Sequence, residues 1–535
     1  MSEDIVLAAI NAKWIHPSFA LRLLKANLGG LASRCRILEF TLRQTPDEML
    51  DPILAAGPAI LGISVSIWNH KAALDLLKLL NEKWQAAFTV PAGMASGAAA
   101  SGATFGGAAA GAAATVRRPF VVLGGPEASW LPRESEILKY ADYVICGDGE
   151  FTFRELCEKL LNGIYDNSAA ADTFPRGPEF IFSPPPDTAK LVSPYDLYTD
   201  EDLGHRLIYV ESSRGCLFGC DFCLSAAERK IREFPLNCFL ADMDRLLDRI
   251  AAGRGGFNAV RNRNGFRRII KFLDRSFNAN TERAVKIMEF FLQKMESENL
   301  PLCVHFEMTP FNFPGRLRDV IRRFPPGSLR IELGIQTLNP AAASLVNRPD
   351  NIDEGLEILG FLRGETCCIV HADLIAGLPG EGMESFGRGF DRLWLAMTSA
   401  RHAGVQNSGF GNINSEPPLM EIQPGILKLL HGSPLVRHIN SYGMIFSEQP
   451  PYEVMQTSAI SPAEMDRVKN FARFWEILVN RKPFPELLPK IVPDGEPVFQ
   501  EFMKLSDTLF AVIKRNWGID RNILRGILYQ LFSLS

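Results

Sequence analysis

The chain lacks the features that would place a protein in a membrane, outside the cell or on nucleic acid. No run of about eighteen apolar residues occurs in its 535 residues, so no segment reads as a membrane span. Ten cysteines over that length are too sparse for a disulfide scaffold. Positive charge is not in excess either. A formal net charge of −4 argues against a general nucleic-acid binder. The opening "MSEDIVLAAINAKW" is acidic and then strand-like, without the basic stretch of an export signal. Together these absences predict a reducing, cytoplasmic setting, where clustered thiols bind metal. What remains, 47% hydrophobic and 22% charged residues, is the composition of a globular protein.

Residues 1–165 alternate continuous apolar runs with amphipathic helical patterns. The strand-like runs are 5–11, 36–42, 59–67, 120–128 and 143–150. Such alternation predicts an α/β, doubly wound, flavodoxin-like parallel sheet whose ligand lies beyond the carboxyl ends of the strands. A low-complexity insertion at 88–118, nearly all Ala, Gly, Ser and Thr in its centre, interrupts it. The Pro- and Asp-rich stretch 166–205 reads as a linker. From 206 to 435 a second series of strands and helices predicts a partial or full (β/α) barrel, with insertions at about 251–267 and 398–420. Residues 436–535 read as a helical C-terminal domain. It opens on the capping box "SPAE" (461–464), and Val468, Phe471, Phe474, Trp475 and Leu478 then form a stripe best explained as core.

Chemistry concentrates in "ESSRGCLFGCDFCLSA" (211–226), where Cys216, Cys220 and Cys223 follow the first barrel strand. A tetrahedral zinc site wants four ligands, and this loop supplies three. A distant thiol such as Cys238 could complete a zinc site or an iron–sulfur cluster. Alternatively, a cluster keeps three thiolates and one open iron. An open iron is a position where a further ligand can bind, and polar groups nearby would hold that ligand. Later strand ends offer Glu307, Gln336, Arg348 and Asp373.

The C-x3-C-x2-C spacing, with Phe222 before the last cysteine and a preceding barrel strand, resembles the radical S-adenosylmethionine superfamily. That resemblance implies a [4Fe–4S] cluster on Cys216, Cys220 and Cys223. It also implies S-adenosylmethionine at the open iron and Phe222 near its adenine. Glu307, Gln336, Arg348 and Asp373 resemble, in order, the polar set of the coproporphyrinogen-oxidase-type radical enzymes. Asp274 and Arg275 in "FLDRSFN" are weaker candidates, because the Gly-Gly-Glu pattern of many relatives is absent there. The Gly-Leu-Pro-Gly turn at 377–380 either lets backbone approach the cofactor or ends a strand.

An α/β domain ahead of such a barrel resembles the cobalamin-binding domain of cobalamin-dependent radical enzymes. The resemblance rests on "LGISVSIWN", "VVLGGPEAS" and "YVICGDGEFTFREL". It assigns cobalamin contacts to Ser64, Ser66, Gly124, Gly125 and Glu150. No Asp-x-His-x-x-Gly motif is present to supply a lower axial histidine. The C-terminal region looks like a domain of unknown function found in one subgroup of these proteins. The function implied is reductive cleavage of S-adenosylmethionine to a 5′-deoxyadenosyl radical, with cobalamin and methyl transfer to an unactivated carbon. A flavodoxin or ferredoxin would donate the electron. The rivals are radical rearrangement, cyclisation or oxidation without methyl transfer, and a non-catalytic cobalamin- or zinc-binding module.

Overall fold

A computed structural model describes residues 3–88, 118–165, 177–253, 261–262, 265–349, 351–398 and 420–533. The centres of the predicted insertions, at 89–117, 254–260, 263–264 and 399–419, lie outside the described residues. The chain forms two compact units, Met1–Thr199 and Asp200–Ser535.

The first unit is a parallel sheet of six strands: β1 (Ile5–Asn11), β2 (Cys35–Thr41), β3 (Ile60–Ser64), β4 (Phe120–Gly124), β5 (Tyr143–Cys146) and β6 (Glu179–Phe182). They run in the order β2-β1-β3-β4-β5-β6, which is flavodoxin-like with one strand added. The sixth strand lies in the stretch read as linker and pairs with β5 from Tyr143↔Glu179 to Cys146↔Phe182. Nearly continuous apolar strands arise because helices seal both faces. Ile5, Leu7 and Ala9 pack with Leu21, Phe153 and Leu156 from helices α1 (Phe19–Ala26) and α4 (Glu150–Tyr165). Val6, Ala8 and Ile10 pack with Met49, Ile53, Leu76 and Leu77 from α2 (Pro46–Ala56) and α3 (His70–Phe88). The polypeptide re-enters the sheet at Arg118, whose guanidinium bonds both oxygens of buried Asp142 at 2.9 and 2.8 Å. Asp142 also accepts from the Val121 N–H at 2.7 Å.

Three strands end earlier than their apolar runs predict, at Ser64, Gly124 and Cys146. Gly125 (φ +101°) and Gly147 (φ +93°) follow two of these ends, and such backbone leaves the sheet. A side chain on Gly125 would also sit 2.7 Å from the Val65 carbonyl oxygen. The protein's own loop therefore accounts for that glycine.

The second unit holds six more parallel strands: β7 (Ile208–Val210), β8 (Arg268–Phe272), β9 (Leu302–Met308), β10 (Leu329–Gln336), β11 (Ile369–Ala376) and β12 (Met420–Ile426). They lie in sequential order with β7 and β12 as the two edges. The barrel is thus partial and open. Along β10 burial alternates: Leu329, Ile331, Leu333 and Ile335 are buried, while Arg330, Glu332, Gly334 and Gln336 are half-buried. This period of two puts one set against the helices and the other on the inner face. Edge β12 carries Pro424, and the Asn480 amide donates to the Ile422 carbonyl at 2.9 Å. Both features block pairing with another strand.

The C-terminal region packs on this barrel within the same unit. Helix α5 (Pro462–Trp475) starts at the Ser461–Glu464 capping box. Its buried Phe471 and Trp475 meet Phe390 of the barrel helix Met383–Thr398 at centroid distances of 5.1 and 4.7 Å. The apolar stripe is core. Gly377 (φ +90°) belongs to the same contact, because a side chain there would lie 2.6 Å from Val454 Cγ1 and 3.1 Å from Met465 Cε. The Gly-Leu-Pro-Gly turn thus makes room for the C-terminal region.

Candidate functional site

The three-cysteine loop follows β7, with Cys220 buried and Cys216 and Cys223 half-buried. Three contacts brace it. Asp274, 1% exposed, accepts from the Ser212 N–H at 2.9 Å and from the Ser212 and Ser213 hydroxyls at 2.6 and 2.7 Å. Burial pushes its carboxyl up against those hydrogen bonds. The Ser276 hydroxyl lies 3.3 Å from Cys216 Sγ. Asp221, between the second and third cysteines, is held by His438 Nε2 at 2.7 Å, Arg437 Nη2 at 2.6 Å and the Asn347 amide at 3.0 Å. Asp274 is therefore a positioning residue. Arg275 is mostly exposed and lies 3.5 Å from Glu307.

Among the described residues no three His, Cys, Asp or Glu side chains gather tightly enough for one metal ion. Cys238 is exposed on the helix Leu236–Ala252. Phe222 packs on the apolar cluster that contains Val346, Leu378 and Leu435.

The four polar candidates sit on or beside adjacent strands. Arg348 connects them to the thiols: Nη1 lies 3.8 Å from Cys220 Sγ, and Nη2 donates to the Gly334 carbonyl. Burial pushes the Cys220 thiol up, and Arg348 opposes this. Gln336 has φ +69° at an irregularity between Gly334 and Gln336 that shifts the pairing of β10 with β11. A non-glycine residue in the left-handed region is strained, and such positions cluster at functional sites. Gly334 pairs in register with Asp373 on β11. Glu307 on β9 lies 3.6 Å from Lys271. Burial pushes the carboxyls of both Glu307 and Asp373 up.

Beneath this set the inner face carries charges that the sequence reading missed. Glu332 lies 3.1 Å from both Lys271 and His305. Burial would raise its carboxyl, but His305 and Lys271 outweigh burial and hold it well below the carboxylate range. Burial pushes His305 down to about 4. His371 lies 2.9 Å from Asp373 and 3.3 Å from Glu421; burial opposes its charge, yet these carboxylates lift it to about 10. The signal was present in "LRIELGIQ", where charged residues alternate with apolar ones.

In the first unit, Ser64, Gly124, Gly125 and Glu150 lie at the carboxyl rim of the sheet, with Glu150 opening α4. Ser66 is buried, its N–H donating to Asn69 Oδ1 at 2.7 Å. The rim also presents Trp14, Trp68 and Trp130, exposed by 47, 55 and 44%. They follow β1, β3 and β4, which are neighbours in the sheet.

The same fold is found in two solved structures. OxsB, solved with aqua-cobalamin and S-adenosylmethionine bound, superimposes on 99% of this chain and 75% of its own, with a TM-score of 0.61 at 13% identity. The radical S-adenosylmethionine methyltransferase TsrM from Kitasatospora setae matches 86% of this chain and 81% of its own, with a TM-score of 0.53 at 13% identity. An uncharacterized methyltransferase of Pyrococcus horikoshii is 26% identical over 182 residues, 31% of this chain. This chain spans about a third of that relative, 36% of its length. Residues 440–512 match a protein family of unknown function, DUF4080. Among the described residues no helix is long and apolar enough to cross a membrane.

Proposed function

We propose that the protein is a cobalamin-dependent radical enzyme that cleaves S-adenosylmethionine and methylates an unactivated carbon. The observation that carries this reading is Arg348, which touches Cys220 of the three-thiol loop and the Gly334 carbonyl of the polar set. The donor chemistry fits: three thiols on a braced loop, a cation beside them and carboxylates on the next strands. Cys216, Cys220 and Cys223 would hold the [4Fe–4S] cluster, and the rim residues Ser64, Gly124, Gly125 and Glu150 would face cobalamin. When bound, the cluster supplies the electron that splits S-adenosylmethionine into methionine and a 5′-deoxyadenosyl radical, and cobalamin supplies the transferable methyl group.

The protein's own side chains bind and orient. Arg348 presents a cation to the carboxylate of S-adenosylmethionine, and Phe222 an apolar face near its adenine. Glu307, Gln336 and Asp373 are its amino and ribose partners. Asp274, Ser276 and Asp221 fix the cluster loop in place. The electron comes from an external flavodoxin or ferredoxin. Methyl transfer is favoured over rearrangement, cyclisation or oxidation by the two relatives named as methyltransferases.

Anaerobic reconstitution with iron and sulfide, followed by dithionite and S-adenosylmethionine, tests the reading. Cluster absorbance and 5′-deoxyadenosine are expected. Their joint absence would leave a non-catalytic binding module. Formation of 5′-deoxyadenosine with every candidate substrate unmethylated would favour the radical chemistries without methyl transfer.

A further inference from the structure

A cleft of about 800 Å³ runs between the open edge of the barrel and the C-terminal region. Its floor follows β12 from Glu421 to Ile426, toward the strand end where the candidate S-adenosylmethionine residues sit. His371 joins the two sites, since it lines the cleft and lies 2.9 Å from Asp373. The volume suits a small organic molecule.

The opposite wall is made by an irregular helix. After Trp475, α5 continues as a π-helical turn, Glu476–Asn480, a conformation frequent at functional sites. Asn480 is 6% exposed. Its amide nitrogen donates to the Ile422 carbonyl and to Glu476 Oε2, at 2.9 and 3.0 Å. Two acceptors around that nitrogen fix the amide orientation. Among the described residues its buried oxygen has no hydrogen-bond partner, an arrangement that calls for a donor.

Charge in the cleft is also unbalanced. Arg330, Lys469 and Arg481 each face a carboxylate. Arg473 has none among the described residues. Its Nε donates to the Asn516 carbonyl at 3.0 Å, and Asn516 is itself fixed to Asn470 at 2.7 Å. The guanidinium is therefore positioned while its terminal nitrogens keep donor capacity. Next along the chain, Trp517 lines the cleft with 72% of its surface exposed, offering a flat stacking surface.

We propose that this cleft is the substrate site, and that the substrate is a small molecule with an oxyanion, carboxylate or phosphate, for Arg473, a hydrogen-bond donor for Asn480 Oδ1 and a planar group for Trp517. The inference rests on the enzymatic reading above and gives the C-terminal region its role: it builds the wall that selects the substrate.

Benzoate, phenyl phosphate and neutral benzyl alcohol serve as probes, titrated against the full-length reconstituted protein by calorimetry. At least one anion is expected to bind and benzyl alcohol not to; which anion binds identifies the oxyanion. Arg473→Gln should weaken the anion by about tenfold or more, the loss of one charge-assisted hydrogen bond. Arg473→Lys should restore part of the affinity, and the surface change Trp517→Ala should weaken binding without lowering Tm. No anion binding, or binding unchanged in Arg473→Gln, overturns the proposal. Formation of 5′-deoxyadenosine by the unsubstituted protein reports separately on the enzymatic reading. Anions that fail to bind alongside normal 5′-deoxyadenosine would therefore remove the cleft alone.

Discussion

Two parallel six-stranded sheets occur in this chain, and they are used in opposite ways. In the first, helices seal both faces, so β1 is buried along nearly its whole length. Only the carboxyl rim is free to carry function, and there the Trp14, Trp68 and Trp130 side chains are about half exposed. In the second, one face of each strand looks into an open barrel. Its side chains include Lys271, His305, Glu307, Arg330, Glu332, His371 and Glu421. Barrel interiors are ordinarily filled by branched apolar residues. A charged interior persists only when its charges are paired, and here Lys271–Glu332 and Arg330–Glu421 pair across strands. Helix-sealed strands confine function to loops, whereas an open barrel allows it along the strands themselves.

The comparison breaks most sharply at the cysteine loop. Cys220→Ala removes the thiol that Arg348 approaches and should reduce both cluster absorbance and 5′-deoxyadenosine to background. Circular dichroism should remain native, since the bracing contacts of Asp221 and Asp274 do not involve that thiol. Turnover that survives the substitution would contradict the cluster assignment.

A second, smaller effect belongs to the charged interior. Glu332→Gln leaves Lys271 and His305 facing a neutral amide. Removing one partner of a buried ion pair is strongly destabilising, and with these groups partly exposed the cost should be about 2–4 kcal/mol. Thermal unfolding would register it in the second unit while the first unfolds as before. An unchanged Tm would mean that water already screens the inner face.

Both sheets were legible in the sequence, because apolar periodicity reports burial directly. The cysteine loop was legible too, since its spacing is local. Three features were not. Strand β6 hid in a stretch whose prolines and aspartates read as linker, and its edge position in the sheet asks for little apolar patterning. The charged interior was hidden because pairing across strands is a property of register: Glu307 meets Glu332 only once β9 and β10 are aligned. The roles of Gly125 and Gly377 depended on Val65, Val454 and Met465, residues far from them in sequence or on another loop.

Glu381 offers a pH-dependent test in the turn between β11 and the barrel helix Met383–Thr398. It is 2% exposed and accepts from the Thr337 hydroxyl at 3.0 Å. Burial lifts its carboxyl from an ordinary 4.5 to about 7. As pH rises through 4.5, the unfolded chain releases this proton while the folded chain keeps it. Stability therefore falls between those two values and stays reduced above them. Glu381→Gln should thus raise stability by about 2–3 kcal/mol at pH 8 and by nothing near pH 4. A gain equal at both pH values would mean that packing, not ionisation, is responsible.

The smallest expected effect tests the rim of the first sheet. Trp68 is half in solvent, so Trp68→Phe should change stability by less than about 0.5 kcal/mol. If the rim holds a corrin, hydroxocobalamin will quench the tryptophan fluorescence of the unsubstituted protein along a saturating curve, and the quenched fraction will shrink in Trp68→Phe. Quenching that is linear in concentration and equal in both proteins would mean no bound corrin near Trp68. The first sheet would then be a helix-sealed scaffold, and the polar interior of the second would stand as the chemical centre without it.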